Sequence, residues 1–222
     1  MSELLTVNMT GTPNELWQYF VSLAPEIPDV YNQIRAEQNH RYVKRETRIY
    51  EAALLYCLAK QYNHPGAQFL EIGMCYGWTA AVMAHAAPDA HIVTMSPNPA
   101  HYHYGRDNLT IHPNVEALKE YSEILLSHYD GPELDLVFVD GDHKGALHDV
   151  PWFNWLKVGG VMFWHDYCPA GCPIRPCRWV YDAVNMLRDA THEFDVFIAD
   201  DNAEGMAGIY RRKGETWPIT QP

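Results

Sequence analysis

Hydrophobic and polar positions along the chain follow two periods, and the changes between them mark a succession of helices and strands. Thr12-Pro13-Asn14-Glu15 joins a capping hydroxyl, a proline at the first helical position and a glutamate three residues after the cap, which predicts a helix running to about Leu23. Ile49, Ala52, Ala53, Leu54, Tyr56, Cys57 and Leu58 form the apolar face of a second helix, expected to begin near Val30 and to stop before Asn63-His64-Pro65-Gly66. Gln68 to Ile72 then reads as a strand, Trp78 to Ala87 as a helix and His91 to Met95 as a second strand ended by Ser96-Pro97-Asn98-Pro99, which completes one βαβ unit. Asn114 to Leu118, Asp135 to Val139 and Gly160 to Trp164 read as three further strands separated by helices. The strand-like segments Phe194 to Ala199 and Met206 to Tyr210 are too close for a crossover helix and should form an antiparallel hairpin around the Asp200-Asp201 tip.

The pattern predicts an α/β fold, Rossmann-like, with a mostly parallel seven-stranded sheet, helices on both faces and a C-terminal antiparallel hairpin. Residues 46–222 make this domain and 1–45 a helical cap, which could also serve as a homodimer surface. A chain of 222 residues, 47% hydrophobic, is long enough to bury such a core. Its 28 acidic against 16 basic residues, a net charge of −12, would repel a phosphate backbone, so nucleic acid is not expected as a partner. No apolar run approaches the length that spans a bilayer, and no export signal opens the chain. Five cysteines, an odd number, argue against a secreted disulfide framework and for the cytoplasm.

Candidate chemistry gathers at the ends of the strands. After the first strand, Glu71-Ile72-Gly73-Met74-Cys75-Tyr76-Gly77 sets an acid and two glycines at the opening of a helix, where a chain without Cβ atoms can turn tightly and approach a ligand. The spacing is neither the dinucleotide fingerprint nor a P-loop. Val139-Asp140-Gly141-Asp142-His143 follows the fourth strand and Phe163-Trp164-His165-Asp166 the fifth. In an open α/β sheet these three ends face one edge. Trp152, Trp155 and Trp164 read as core packing. His101-Tyr102-His103-Tyr104 falls where a helix should begin, so its histidines are not expected to share an ion. Cys168-x-x-x-Cys172-x-x-x-x-Cys177 fits no zinc-ribbon spacing and reads as a lid, with Arg175 and Arg178 available to an acidic group.

In this order of motifs, residues 45 to 212 resemble the class I S-adenosylmethionine-dependent methyltransferases. Within them the Asp140 to His143 motif, Val158-Gly159-Gly160 and His165-Asp166 are similar to the small-molecule O-methyltransferases that use Mg²⁺, including the macrolide-sugar and catechol enzymes. The resemblance implies methyl transfer to a hydroxyl of a small molecule, such as a sugar or natural product. It implies Asp140 and Asp166 as metal ligands, joined by His165 if the ion is Mn²⁺ or Fe²⁺, and His143 as the general base. It also implies that Glu71, Gly73, Gly77, Ser96, Tyr121, Ser122 and Asp140 hold S-adenosylmethionine. The chain departs from the family at three places: Ser96 stands where the ribose acid is usual, Tyr121-Ser122 where the adenine-side acid is expected, and Tyr167 where an asparagine is frequent. These departures leave two alternatives on the same fold, a metal-dependent hydroxylase or hydrolase and a non-catalytic binding module.

Overall fold

The computed structural model describes residues 9–38, 47–168, 175–191, 194–198 and 205–212. Strand β1 (Met9–Thr10) leads to α1 (Pro13–Leu23), which begins with the reciprocal cap read from the sequence: the Thr12 hydroxyl accepts from the Glu15 amide, and the Glu15 carboxylate accepts from the Thr12 amide at 2.8 Å. Helices α2 (Ile27–Glu37) and α3 (Ile49–Gln61) follow, then β2 (Gln68–Ile72), α4 (Trp78–Ala86), β3 (His91–Met95), α5 (Pro99–Leu109) and β4 (Val115–Leu118). The chain continues through α6 (Ser122–His128), β5 (Leu134–Val139), α7 (Ala146–Asp149), β6 (Leu156–Tyr167), α8 (Arg175–Thr191), β7 (Phe194–Ile198) and β8 (Gly205–Tyr210).

The eight strands form one sheet in the order β1-β7-β8-β6-β5-β2-β3-β4. Every pairing is parallel except those of β8, which runs antiparallel to both β6 and β7. The seven expected strands are present, and the two-residue β1 adds an eighth at the edge. From β2 the chain winds outward through β3 to β4, then returns to lay β5 on the other side of β2. That reversal opens a crevice at the carboxyl ends of β2 and β5.

Alternation along the strands divides the core. Leu136 and Phe138 of β5 face the side packed by α1 to α4, while Val137 and Val139 face the side packed by α8. The expected single helix from Val30 is two helices. In α3 every residue from Tyr50 to Ala59 is buried, because it lies between α1 and α4 rather than on the surface; burial all round erases the periodicity that would have marked its start. Leu16, Phe20 and Ile34 of the N-terminal helices share one apolar cluster with Phe69 and Phe138 of the sheet.

Three further differences bear on the site. Strand β6 extends through His165 and Asp166 to Tyr167, beyond the expected end at Trp164, since pairing with β8 continues to Tyr167↔Gly205. The β5–β6 connection is a chain of 3₁₀ turns around the four-residue α7 rather than a regular helix. Cys172 and the Asp200-Asp201 tip lie outside the described residues. Among the described residues no helix is long and apolar enough to cross a membrane.

Candidate active site

The loop after β2 is built on two glycines in the left-handed region, Gly73 at φ +113° and Gly77 at φ +83°. A Cβ at Gly73 would stand 2.1 Å from the Asp140 carbonyl oxygen, so only glycine lets the β2 and β5 ends lie this close. Backbone bonds fix the junction: the Gly73 and Met74 amides donate to Met95 O at 3.1 and 2.8 Å, and the Asp140 amide to Ile72 O at 2.8 Å. Gly77 caps α4, and its carbonyl accepts from the Gln38 amide side chain at 3.1 Å.

These strand ends wall a cavity of about 800 Å³, the size of a site for a nucleoside-bearing cofactor. Of the residues singled out in the sequence, Gly73, Ser96, Tyr121, Ser122, Asp140 and His143 line it. Glu71 does not. It is fully buried beneath the loop, accepts from the Thr94 hydroxyl through Oε2 and leaves Oε1 without a hydrogen-bond partner. Gly77 shapes the loop from behind. Ser96 accepts from the Asn98 amide at 3.3 Å while facing the cavity. The Ser122 hydroxyl accepts from the Trp152 indole at 2.9 Å, which makes it part of the scaffold as much as of the wall. Glu120, one residue before the Tyr121-Ser122 pair that stands where the adenine-side acid is expected, also lines the cavity, and its Oε1 accepts from the Tyr121 amide at 3.0 Å. Asp142 lines the cavity too and caps the turn that carries His143, accepting from the Lys144 amide at 3.2 Å. Tyr104 packs beside Tyr76, and Tyr102 lies against the core, while His101 reaches the cavity.

The polar centre of the site joins β5 to β6. His143 Nε2 lies 2.6 Å from Asp166 Oδ2, and His165 Nδ1 lies 3.0 Å from Asp166 Oδ1 and 3.6 Å from Asp140 Oδ1. Asp166 adopts φ +59°, a left-handed conformation that aspartate tolerates better than most residues and that turns its carboxylate toward His143. The hydrogen bond to Asp166 raises the His143 pKa against an opposing burial effect. Burial raises Asp140 to about 6, a rise that the neighbouring His165 limits. Burial acts the same way on Asp166, but hydrogen bonds from His143 and His165 outweigh it and hold this carboxyl well below the usual range. His165 is enclosed by Asp140, Asp166 and Glu51, which raise its pKa well above the ordinary value in spite of burial.

Glu51 went unread in the sequence. It is 2% exposed on α3, and its Oε2 lies 3.2 Å from His165 Nε2. Its signal was present, since it is the sole acidic residue of the Ile49–Gln61 helix and stands in that helix's apolar stretch from Tyr50 to Ala59. With Nε2 directed at Glu51 and Nδ1 at two aspartates, His165 is arranged as a cation between carboxylates. Beside it, donor atoms of Asp140, His143 and Asp166 lie within 4.8 Å of one another. Two carboxylates and an imidazole at that spacing fit a divalent cation. Of the cysteine-rich stretch, Cys168 and Cys177 are buried, and Arg178 is directed to Asp182 at 3.9 Å. Arg175 opens α8.

Residues 70–167 match the family model of a methyltransferase domain. These residues are a methyltransferase domain. Around it the described residues have the class I methyltransferase fold. It superposes on cofactor-bound Rv0187 from MTB with a TM-score of 0.67 at 18% identity, covering 92% of this chain and 100% of that one. The O-methyltransferase from Bacillus cereus, in complex with SAH, gives 0.66 at 13% identity over 89% and 97%. The methyltransferase PaMTH1 from Podospora anserina, SAH-bound, gives 0.63 at 18% over 96% and 100%. No curated protein matches the chain in sequence. The methyltransferase domain runs from β2 to the end of β6 and so contains both glycines of the loop, the cavity-lining strand ends and the His143–Asp166 pair.

Proposed function

We propose that this methyltransferase domain transfers a methyl group from S-adenosylmethionine to a hydroxyl of a small molecule, assisted by a divalent cation. The observation that carries the reading is the convergence of the Gly73 loop, Asp140 and the His143–Asp166 pair on one cavity at the sheet's switch point. The SAH complexes among the structural neighbours support the cofactor, and the net charge of −12 favours a small acceptor over nucleic acid.

S-adenosylmethionine, when bound, supplies an electrophilic methyl on its sulfonium. Asp140 and Asp166 would hold the cation, whose charge makes a nearby hydroxyl more acidic. The protein's own contribution begins with Asp166, which accepts from His143 Nε2–H and so leaves Nδ1 as the basic atom. His143 takes the acceptor's proton at Nδ1, and the imidazolium so formed is stabilised by the carboxylate behind it. His165, fixed by Glu51, offsets the negative charge of the two aspartates and keeps them close. Gly73 lets the β2 end close against the Asp140 backbone, which sets the two strand ends side by side along the cavity.

Calorimetric titration of S-adenosylmethionine into the wild type should give micromolar binding, about −8 kcal/mol. His143→Gln should retain that affinity while turnover of hydroxyl acceptors falls by about 10²- to 10⁴-fold. Full turnover in His143→Gln at every pH would refute the assigned role. A metal-dependent hydroxylase or hydrolase is the second reading, favoured by the grouping of His143 with both aspartates. Iron retained through purification, with no affinity for S-adenosylmethionine, would decide for it.

A further inference from the structure

A second group of metal-ligating side chains lies outside the cavity, on the face where the N-terminal helices meet the sheet's own. Glu37 closes α2, His85 lies in the last turn of α4, and His112 follows α5. Their donor atoms fall within 4.8 Å of one another: His85 Nε2 is 3.3 Å and His112 Nε2 3.8 Å from the same Glu37 oxygen, Oε2. Tetrahedral coordination with bonds of about 2.0 to 2.1 Å separates neighbouring ligand atoms by roughly 3.3 Å, close to the spacing of both imidazoles from the carboxylate oxygen. The second observation is His112 itself. The residue is 8% exposed, and its Nε2 is buried with no hydrogen-bond partner while directed at the carboxylate. A buried ring nitrogen in a natural core normally has a partner. The other oxygen, Oε1, accepts from Gln33 Nε2 at 2.8 Å, an outer bond of the sort that orients a ligating carboxylate.

We propose that Glu37, His85 and His112 bind a divalent transition-metal ion of the Zn²⁺ class, which clamps α2 to α4 and to the turn after α5. Two imidazoles and one carboxylate suit Zn²⁺ and leave a fourth position for water. Each ligand comes from a different part of the chain, so the ion joins the N-terminal helices to the methyltransferase domain. The clamp also reaches the cofactor loop, because Gln38, next to Glu37, donates to the Gly77 carbonyl that opens α4. Its role is structural and does not depend on the transfer chemistry proposed above.

The test is a Zn²⁺ titration of metal-stripped, full-length protein, followed by calorimetry, by thermal melting and by the visible absorption of Co²⁺ as a substitute. The background is Asp140→Asn with Asp166→Asn, which silences the ions of the cavity. One equivalent should bind and raise Tm, and Co²⁺ should show the strong d–d absorption of a four-coordinate site without thiolate charge transfer. Adding Glu37→Gln, which keeps the contact to Gln33, or His112→Phe, which preserves packing volume, should weaken that equivalent by about 100-fold or more and remove the Tm rise. Loss of all Zn²⁺ binding in the Asp140→Asn, Asp166→Asn background would overturn the proposal. So would unchanged affinity in the Glu37→Gln and His112→Phe variants, or a thiolate signature in the Co²⁺ spectrum.

Discussion

Glu71 is an acid whose titration is governed by its own burial. Its carboxyl lies wholly inside the protein; one oxygen accepts from Thr94 and the other has no hydrogen-bond partner. Burial raises its pKa from 4.5 to about 7, against the lowering effect of hydrogen bonds with Thr79 and Thr94. At about 1.4 kcal/mol per pH unit, that displacement amounts to roughly 3 kcal/mol. The sign follows from proton linkage. Between the unfolded and folded values the native protein holds a proton that the unfolded chain has released, so this group's contribution is largest below pH 4.5 and is lost as pH rises to 7. Glu71→Gln cannot ionise and lacks this slope. It carries instead a constant penalty of about 1 to 3 kcal/mol for an imperfectly paired buried amide. Urea denaturation of both proteins from pH 4.5 to 8 isolates the effect, because Asp140, Asp149 and the histidines titrate in both. Relative to the wild type, the variant should gain roughly 3 kcal/mol across that interval. A stability difference that stays flat with pH would refute the account, and would mean that Glu71 is either already ionised in the fold or solvated there.

Two more substitutions separate effects that look alike in the sequence. Gly73 and Gly66 both have positive φ, but a Cβ at Gly73 meets the Asp140 carbonyl at 2.1 Å, whereas one at Gly66 meets nothing within 4 Å. Gly66→Ala should therefore cost only the backbone term, about 1 to 2 kcal/mol, while Gly73→Ala should cost more than about 4 kcal/mol or prevent folding; equal Tm losses would show that strain rather than contact restricts Gly73. Ser122→Ala strips the Trp152 indole of its acceptor and should lower stability by about 1 to 3 kcal/mol, with S-adenosylmethionine affinity changed less than about threefold; a large affinity loss at unchanged Tm would restore Ser122 as a cofactor ligand.

The parts of this protein legible in the sequence are those in which a local pattern and the sheet's topology say the same thing. Strands β2 and β3 end where their apolar runs give way to glycine or to proline and asparagine, so the edge carrying Gly73, Ser96 and Asp140 could be placed before any coordinates. What stayed hidden depends on neighbours distant in the chain. Pairing with β8 resumes at Tyr167 after a register shift and so carries β6 past Trp164, setting His165 and Asp166 on a strand instead of in a loop, within reach of Asp140 and His143. Likewise α3 shows no stripe because α1 covers the side that solvent would otherwise have kept polar. The same burial gives Glu51 its role. A carboxylate only 2% exposed must find a charged partner or lose its charge; Glu51 meets Arg48 at 3.5 Å and His165 at 3.2 Å, and through His165 it approaches both aspartates of the site. The N-terminal helices are thus more than a cover on a finished α/β domain. They supply a charge without which the His165 between Asp140 and Asp166 would lack its third carboxylate, and the electrostatic balance of the site depends on their being folded against the sheet.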